Sequence, residues 1–305
     1  MRARVTLSTG SLFGYPLDRI LAIAAALGLD GVEVLLTDAL LAAGPDMLAA
    51  RAARHGIPVL SVHFPFIGRR TEAEFHAAYE QTAAFAAALP ACEAVVVHTT
   101  LATSLHGAQG IAYLQALRHA QQRLRGTRAR VSIENRGVSV VPARPAYLDD
   151  LLNLRRLAEE WDFGLTYDIG HAASWGLDIG RALDALGPRV GTIHLSNSRA
   201  RGWPLALPGL HSHLRDHQPL DSGLLPIDDL LGKLALRRFA GLVTLELSPL
   251  ALHWPRPWRA RDRLADAVAR CRAGLAAGRR APGARGVPGA PGISGGRGAE
   301  DVQER

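Results

Sequence analysis

The chain has 305 residues, 48% hydrophobic and 21% charged, enough apolar material for one large core or two small ones. No uncharged apolar run reaches 18 residues and the start, MRARVTLSTGSLFG, lacks the apolar stretch of a secretory signal, so neither a membrane span nor a leader is expected and a cytoplasmic location is. The formal charge of +7 is uneven: residues 270–305 hold seven arginines against three acids, a net +4, so a body left with +3 gives little support to nucleic-acid binding. Two cysteines, Cys92 and Cys271, build no disulfide framework and neither belongs to a CxxC pair, so metal ligands must be nitrogen and oxygen.

In chain order, RVTLS (4–8) is followed by the helical stretch PLDRILAIAAALG, and GVEVL (31–35) carries Glu33. PVLSV (58–62) runs into His63; EAEFHAAYEQTAAFAAAL separates it from AVVV (94–97), which runs into His98. After AYLQALRHAQQRL comes RVSIE (130–134), ending on Glu134, and after YLDDLLNLRRLAEEW comes GLTYD (164–168), ending on Asp168 with His171 three residues on. VGTIH (190–194) ends on His194; a long loop and IDDLLGKLAL lead to LVTLE (242–246), ending on Glu246. Eight short runs alternating with helical periods predict parallel strands covered by helices, a (β/α)8 TIM barrel of class α/β. A doubly wound open sheet competes, but no GxGxxG follows the first strand. The barrel is expected to fill residues 1–278 as a single domain. From Gly283, glycine recurs every third residue to 298, so 279–305 reads as a disordered Gly/Pro/Arg-rich tail too short for a triple helix.

Barrel active sites form at the C-terminal ends of the strands. There the sequence delivers Glu33, His63, His98, Glu134, Asp168 with His171, His194 and Glu246. A histidine at one strand end is ordinarily a satisfied structural residue, but burying this many ionisable groups unpaired is costly, and a divalent cation removes the cost. So many donors exceed the needs of one zinc, which implies at least two metals with Glu134 bridging them. The spacing of Asp168 and His171 brings both into one mouth if a helix starts after the strand.

The segments GVEVL, SVHFPF, VVVHTT, SIENR, YDIGHAASWG, IHLSNS and TLELSP together resemble the xylose isomerase-like TIM-barrel superfamily over residues 4–276. That superfamily holds sugar phosphate isomerases and epimerases together with endonuclease IV-type AP endonucleases. The resemblance to the epimerase branch implies one metal on Glu134, Asp168, His194 and Glu246, with Glu134 and Glu246 also as catalytic acid and base. The resemblance to the endonuclease branch implies added ligands His63, His98, His171 and an Asp-x-His, for three zincs. Here that last motif reads LRDHQPLDSG, with Asp216 and His217 adjacent and Asp221 where a glycine is expected, which puts a third metal in doubt. His217 stays among the candidate ligands, so the cofactor is one to three divalent ions, zinc, manganese or cobalt. Glu33 is typical of the sugar isomerase-like members, where it positions substrate; Arg199 or Arg201 would hold a hydroxyl or phosphate, and His211 and His213 read as loop residues.

Three functions fit. The favoured one is a metal-dependent isomerase or epimerase acting on a sugar or sugar phosphate, because the body is nearly neutral and the Asp-x-His motif is broken. The alternative is a multi-zinc phosphodiesterase acting on abasic DNA, with Phe66 and Ile67 as a wedge; their plain reading is an apolar rim packed on a neighbouring loop. A ligand-binding barrel without catalysis is disfavoured by the intact acid–base pair. The expected partner is a small sugar-like molecule, with nucleic acid second and no membrane; a homo-oligomer is compatible with the fold.

Overall fold

The computed structural model describes residues 2–68, 71–138, 145–199 and 214–277. The tail from 279, Arg201, His211 and His213 lie outside these ranges. Eight parallel strands close into a barrel in sequence order: β1 (Arg4–Ser8), β2 (Gly31–Leu35), β3 (Val59–His63), β4 (Ala94–His98), β5 (Arg130–Glu134), β6 (Gly164–Asp168), β7 (Val190–Leu195) and β8 (Leu242–Leu245). The ring is shut by β1 on β8, with Val5 opposite Val243. Outside it run α1 (Leu17–Ala26), α2 (Asp38–Ala43), α3 (Pro45–Arg54), α4 (Glu72–Ala87), α5 (Ala108–Arg123), α6 (Leu151–Trp161), α7 (Ile169–Ser174), α8 (Ile179–Leu186), α9 (Ile227–Leu236) and α10 (Pro257–Ala277). Among the described residues no helix is long and apolar enough to cross a membrane.

The period of two along each strand sorts its side chains between two environments. Outward residues such as Val5, Leu7, Val34, Val97, Ile133, Ile193 and Val243 are buried under the helices in one core. Each such fully buried side chain contributes roughly 1.5–3 kcal/mol. Inward residues form layers. A hydroxyl layer crosses the middle of the barrel, where Thr6 bonds Thr244 at 2.8 Å and Ser132 bonds Thr166 at 2.7 Å. Two residues further along, the same inward rows reach Glu134, Asp168, His194 and, just beyond β8, Glu246. The strands thus lift their ionisable residues to the C-terminal mouth because the pleat repeats every second residue.

Strand limits depart from the sequence expectation by one residue at several ends. β3 and β4 include His63 and His98 as their last residues, β7 runs to Leu195, and β8 stops at Leu245. The hydrogen-bond ladder carries the polar residue with the apolar run, which hydropathy alone does not register. Glu33 is likewise the third residue of β2 and fully buried, so it lies within the barrel wall and not at the rim.

Candidate metal centre

Three groups of donors lie at the C-terminal mouth, each with ligand atoms within 4.8 Å of one another: His63, His98 and Glu134; Glu134, Asp168, His194 and Glu246; and Asp168, His171 and His217. Glu134 belongs to the first two and Asp168 to the last two. Register explains the convergence, since His98 pairs with Glu134 across β4–β5 and Asp168 with His194 across β6–β7.

The imidazoles are oriented by acceptors on their far side. His63 Nδ1 lies 2.9 Å from the Phe64 carbonyl, which can only accept, so Nδ1 carries the proton and the other nitrogen faces Glu134 Oε2 at 3.1 Å. His171 Nδ1 donates in the same way to the Asn135 carbonyl at 2.8 Å, and His217 Nδ1 to the Glu246 carbonyl at 3.2 Å. His194 is reversed: Nε2 faces Glu33 at 3.1 Å, which turns Nδ1 toward Glu246 at 2.7 Å, Glu134 at 3.3 Å and Asp168 at 3.8 Å. A carboxylate or carbonyl behind a ligating imidazole fixes its tautomer and ring angle.

The backbone supports the rest. Asp168 caps α7, its Oδ1 accepting the His171 amide at 2.7 Å, so the helix that the spacing required does begin there. Asn135 ties β5 to β6 by accepting the Asp168 amide at 2.8 Å and donating to its carbonyl at 2.9 Å. The His98 carbonyl accepts the hydroxyls of Tyr79 and Tyr113 at 3.0 and 3.2 Å.

Exposure separates floor from entrance. The His194 and Asp168 side chains are fully buried, whereas His98, His171 and Glu246 keep 32, 23 and 23% of theirs open. These three therefore form the open side of the group. Phe66 stands half-buried beside them, its ring 5.3 Å from His63 and 5.4 Å from His98, so it packs on the two histidines; Ile67 is half-exposed. Arg199 turns away to Ser222 Oγ at 2.9 Å and joins none of the three groups.

Charge is balanced internally. Burial would raise the Glu134 carboxyl, but His194, His63 and His98 around it hold it well below the usual carboxylate range. Glu246 is likewise held low, against burial, by His194 and His217. The opposing effect is on the rings: despite burial, His171 is pushed up to about 9 by Asp168 and Glu134, and His194 rises well above its ordinary value beside Glu33 and Glu246. Burial lowers His98 and raises Asp168. Without a cation, protons on imidazoles offset the carboxylates, and a divalent cation fits the same place with the same sign.

The donors present fit such an ion. Asp168 Oδ2, His194 Nδ1 and Glu246 Oε2 are buried, converge on one point and make no hydrogen bond of acceptable geometry, an expensive arrangement for polar atoms unless a cation takes their lone pairs. Asp216 is different. It accepts from Arg215 at 2.9 and 2.6 Å and from Ser198 at 2.9 Å, which occupies its carboxylate, so His217 meets Asp168 and His171 in its place. Asn135, Ser61 and Arg215 were not singled out in the sequence; their signal was only a polar residue inside a buried strand or beside a candidate ligand.

A family model described as xylose isomerase-like TIM barrel matches residues 21–270. No curated protein matches the chain. Among solved structures, the 3-keto-D-glucoside 4-epimerase YcjR from E. coli is 17% identical, with 88% of this chain and 100% of that one covered and a TM-score of 0.63. The D-allulose 3-epimerase from a Methylomonas species is 14% identical, with 90 and 98% covered and a TM-score of 0.64. An AP endonuclease, family 2, from Brucella melitensis is 19% identical, with 85 and 100% covered and a TM-score of 0.59. At these identities the structures share the fold with this chain and no more. The match to the family model extends over most of the barrel, and the chain belongs to the xylose isomerase-like TIM-barrel family.

Proposed function

We propose that this protein is a divalent-metal-dependent isomerase or epimerase acting on a sugar or sugar-phosphate-like molecule. The observation that carries this reading is the central group, in which Glu134 and Glu246 share one point with Asp168 and His194 and supply four donors, two of them glutamates able to move protons. A bound cation would supply Lewis-acid polarisation of a substrate carbonyl or hydroxyl. Glu246, open to the mouth and charged, would take the proton from the carbon beside that carbonyl, and Glu134 would hold or return one. His171 at the entrance would orient a hydroxyl group, while His98 would hold a second ion with His63 and Glu134. The epimerases among similar folds support the substrate class.

A second reading, a multi-metal phosphodiesterase, is favoured by the adjacent group of His63, His98 and Glu134, which would hold a second ion. His98→Ala tests whether that group holds an ion. If His98 ligates, as we propose, the metal count falls by about one per chain, because a three-donor site losing a nitrogen holds its ion weakly. An unchanged count would reassign His98 to substrate contact. Running wild type against ketose and aldose substrates and against abasic DNA tests the reaction itself; robust incision of abasic DNA would overturn the isomerase reading.

Glu33 acts behind the centre. It accepts from Ser61 Oγ at 2.9 Å and faces His194 Nε2, with no exposure to substrate. Glu33→Ala is expected to weaken metal affinity about 10–100-fold. Competition with a chelating dye measures this, and Glu33→Gln, which keeps an acceptor oxygen, should restore much of the loss. Equal affinities in wild type and Glu33→Ala would remove the positioning role.

A further inference from the structure

We propose that the opposite, N-terminal mouth of the barrel binds a compact anionic ligand carrying phosphate groups. A cavity of about 610 Å³ opens there, within the size range of small-molecule sites. Four arginines line it, Arg4, Arg128, Arg130 and Arg189, with Glu93 as the carboxylate in its described wall. Arg130 occupies the inward row of β5 that continues through Ser132 to Glu134, and Arg4 the inward row of β1 that continues through Thr6. Both residues therefore start from inward-facing positions at the N-terminal opening of the barrel, where Arg130 is exposed, roughly 13 Å of strand below the candidate metal centre at about 3.3 Å per residue.

Two of the four are already paired. Arg4 binds Glu93 through both oxygens, at 2.5 and 2.5 Å, and Arg189 binds the exposed Asp162. The Arg128 and Arg130 side chains donate no hydrogen bond to any described residue, although the Arg130 backbone N–H donates to the Glu93 carbonyl at 3.1 Å. The Arg130 stem crosses Gly164, where an added Cβ would come within 3.2 Å of its Cδ, while an added Cβ on Gly191 would meet open space. Gly164 thus lets the Arg130 stem cross the floor, and Gly191 leaves open space beside it. Each guanidinium presents a planar fork matched to phosphate oxygens.

The test is calorimetric titration of inorganic pyrophosphate into the metal-stripped full chain at constant ionic strength, with inorganic phosphate and a nucleoside diphosphate as further arms. Saturable binding near one per chain is expected, weakened about 10-fold or more in Arg128→Ser/Arg130→Ser and retained in Glu134→Ala. Both arginines are exposed, and the single variants, each expected to lose less than the double, guard against a folding artefact. Tighter binding of the nucleoside diphosphate than of pyrophosphate would show that the group arrives on a larger molecule; the reverse order would point to the free anion. Absence of saturable binding, equal affinity in the double variant, or loss of binding in Glu134→Ala would each overturn the proposal.

Discussion

Replacing Glu134 by alanine is expected to empty the metal centre, leaving less than about a tenth of the wild-type metal and lowering turnover on the order of 10⁴-fold. The reason is position. Glu134 is the one residue common to the histidine pair at β3 and β4 and to the central four-donor group, and its two oxygens face different partners: Oε2 lies 3.1 Å from His63 and 3.5 Å from His98, Oε1 3.3 Å from His194. Alanine removes a donor from both groups at once. It also removes the buried charge that holds His63 above its ordinary basicity, so that ring can give up its proton, while His194 keeps Glu33 and Glu246 beside it and the barrel need not unfold. Metal analysis on the purified variant checks the first half, and the melting temperature of the metal-free forms checks the second. Full metal content in Glu134→Ala would show that the carboxylate is not a ligand.

The barrel was legible because eight short apolar runs and the helical stretches between them state its architecture without long-range information. The central site was legible for a related reason: in RVSIE, GLTYD and VGTIH the last residue of each run is ionisable, and the pleat fixes where a strand-end side chain points. What stayed hidden depends on neighbours that the sequence does not rank. Glu33 looks like a rim residue in GVEVL, yet β2 runs two residues past it, and only the fold places it behind His194. The broken Asp-x-His motif left the part played by Asp216 open, and only the fold shows its adjacent Arg215 turning back to take both oxygens. Asn135 was in view within SIENR, but its bracing of Asp168 and His171 needs the β5–β6 register. The arginine-lined cavity is further still from sequence reading, since residues 4, 128, 130 and 189 meet only when the ring closes.

Glu246→Gln is expected to separate holding the metal from moving the proton. The amide oxygen of glutamine keeps a donor near the place of Oε2, and Asp168, His194 and Glu134 remain, so the metal should stay bound with a modest loss of affinity. What disappears is a base. Glu246 is the most open of the four donors and is held ionised by His194 and His217, the state required to accept a proton from carbon. Removing a positioned base lowers turnover by about 10²–10⁴-fold, and because substrate oxygens would still meet His171 and the cation, KM should change far less than kcat. The sharper readout is isotopic. In deuterated water wild type should place solvent deuterium at the epimerised or isomerised carbon, and Glu246→Gln should exchange that position at a rate reduced in proportion to kcat. Exchange at the wild-type rate would remove Glu246 as the base and transfer the role to Glu134, whereas a wild-type protein that exchanges no carbon-bound proton on any sugar tested, yet hydrolyses a phosphodiester, would place the same four donors in hydrolytic service.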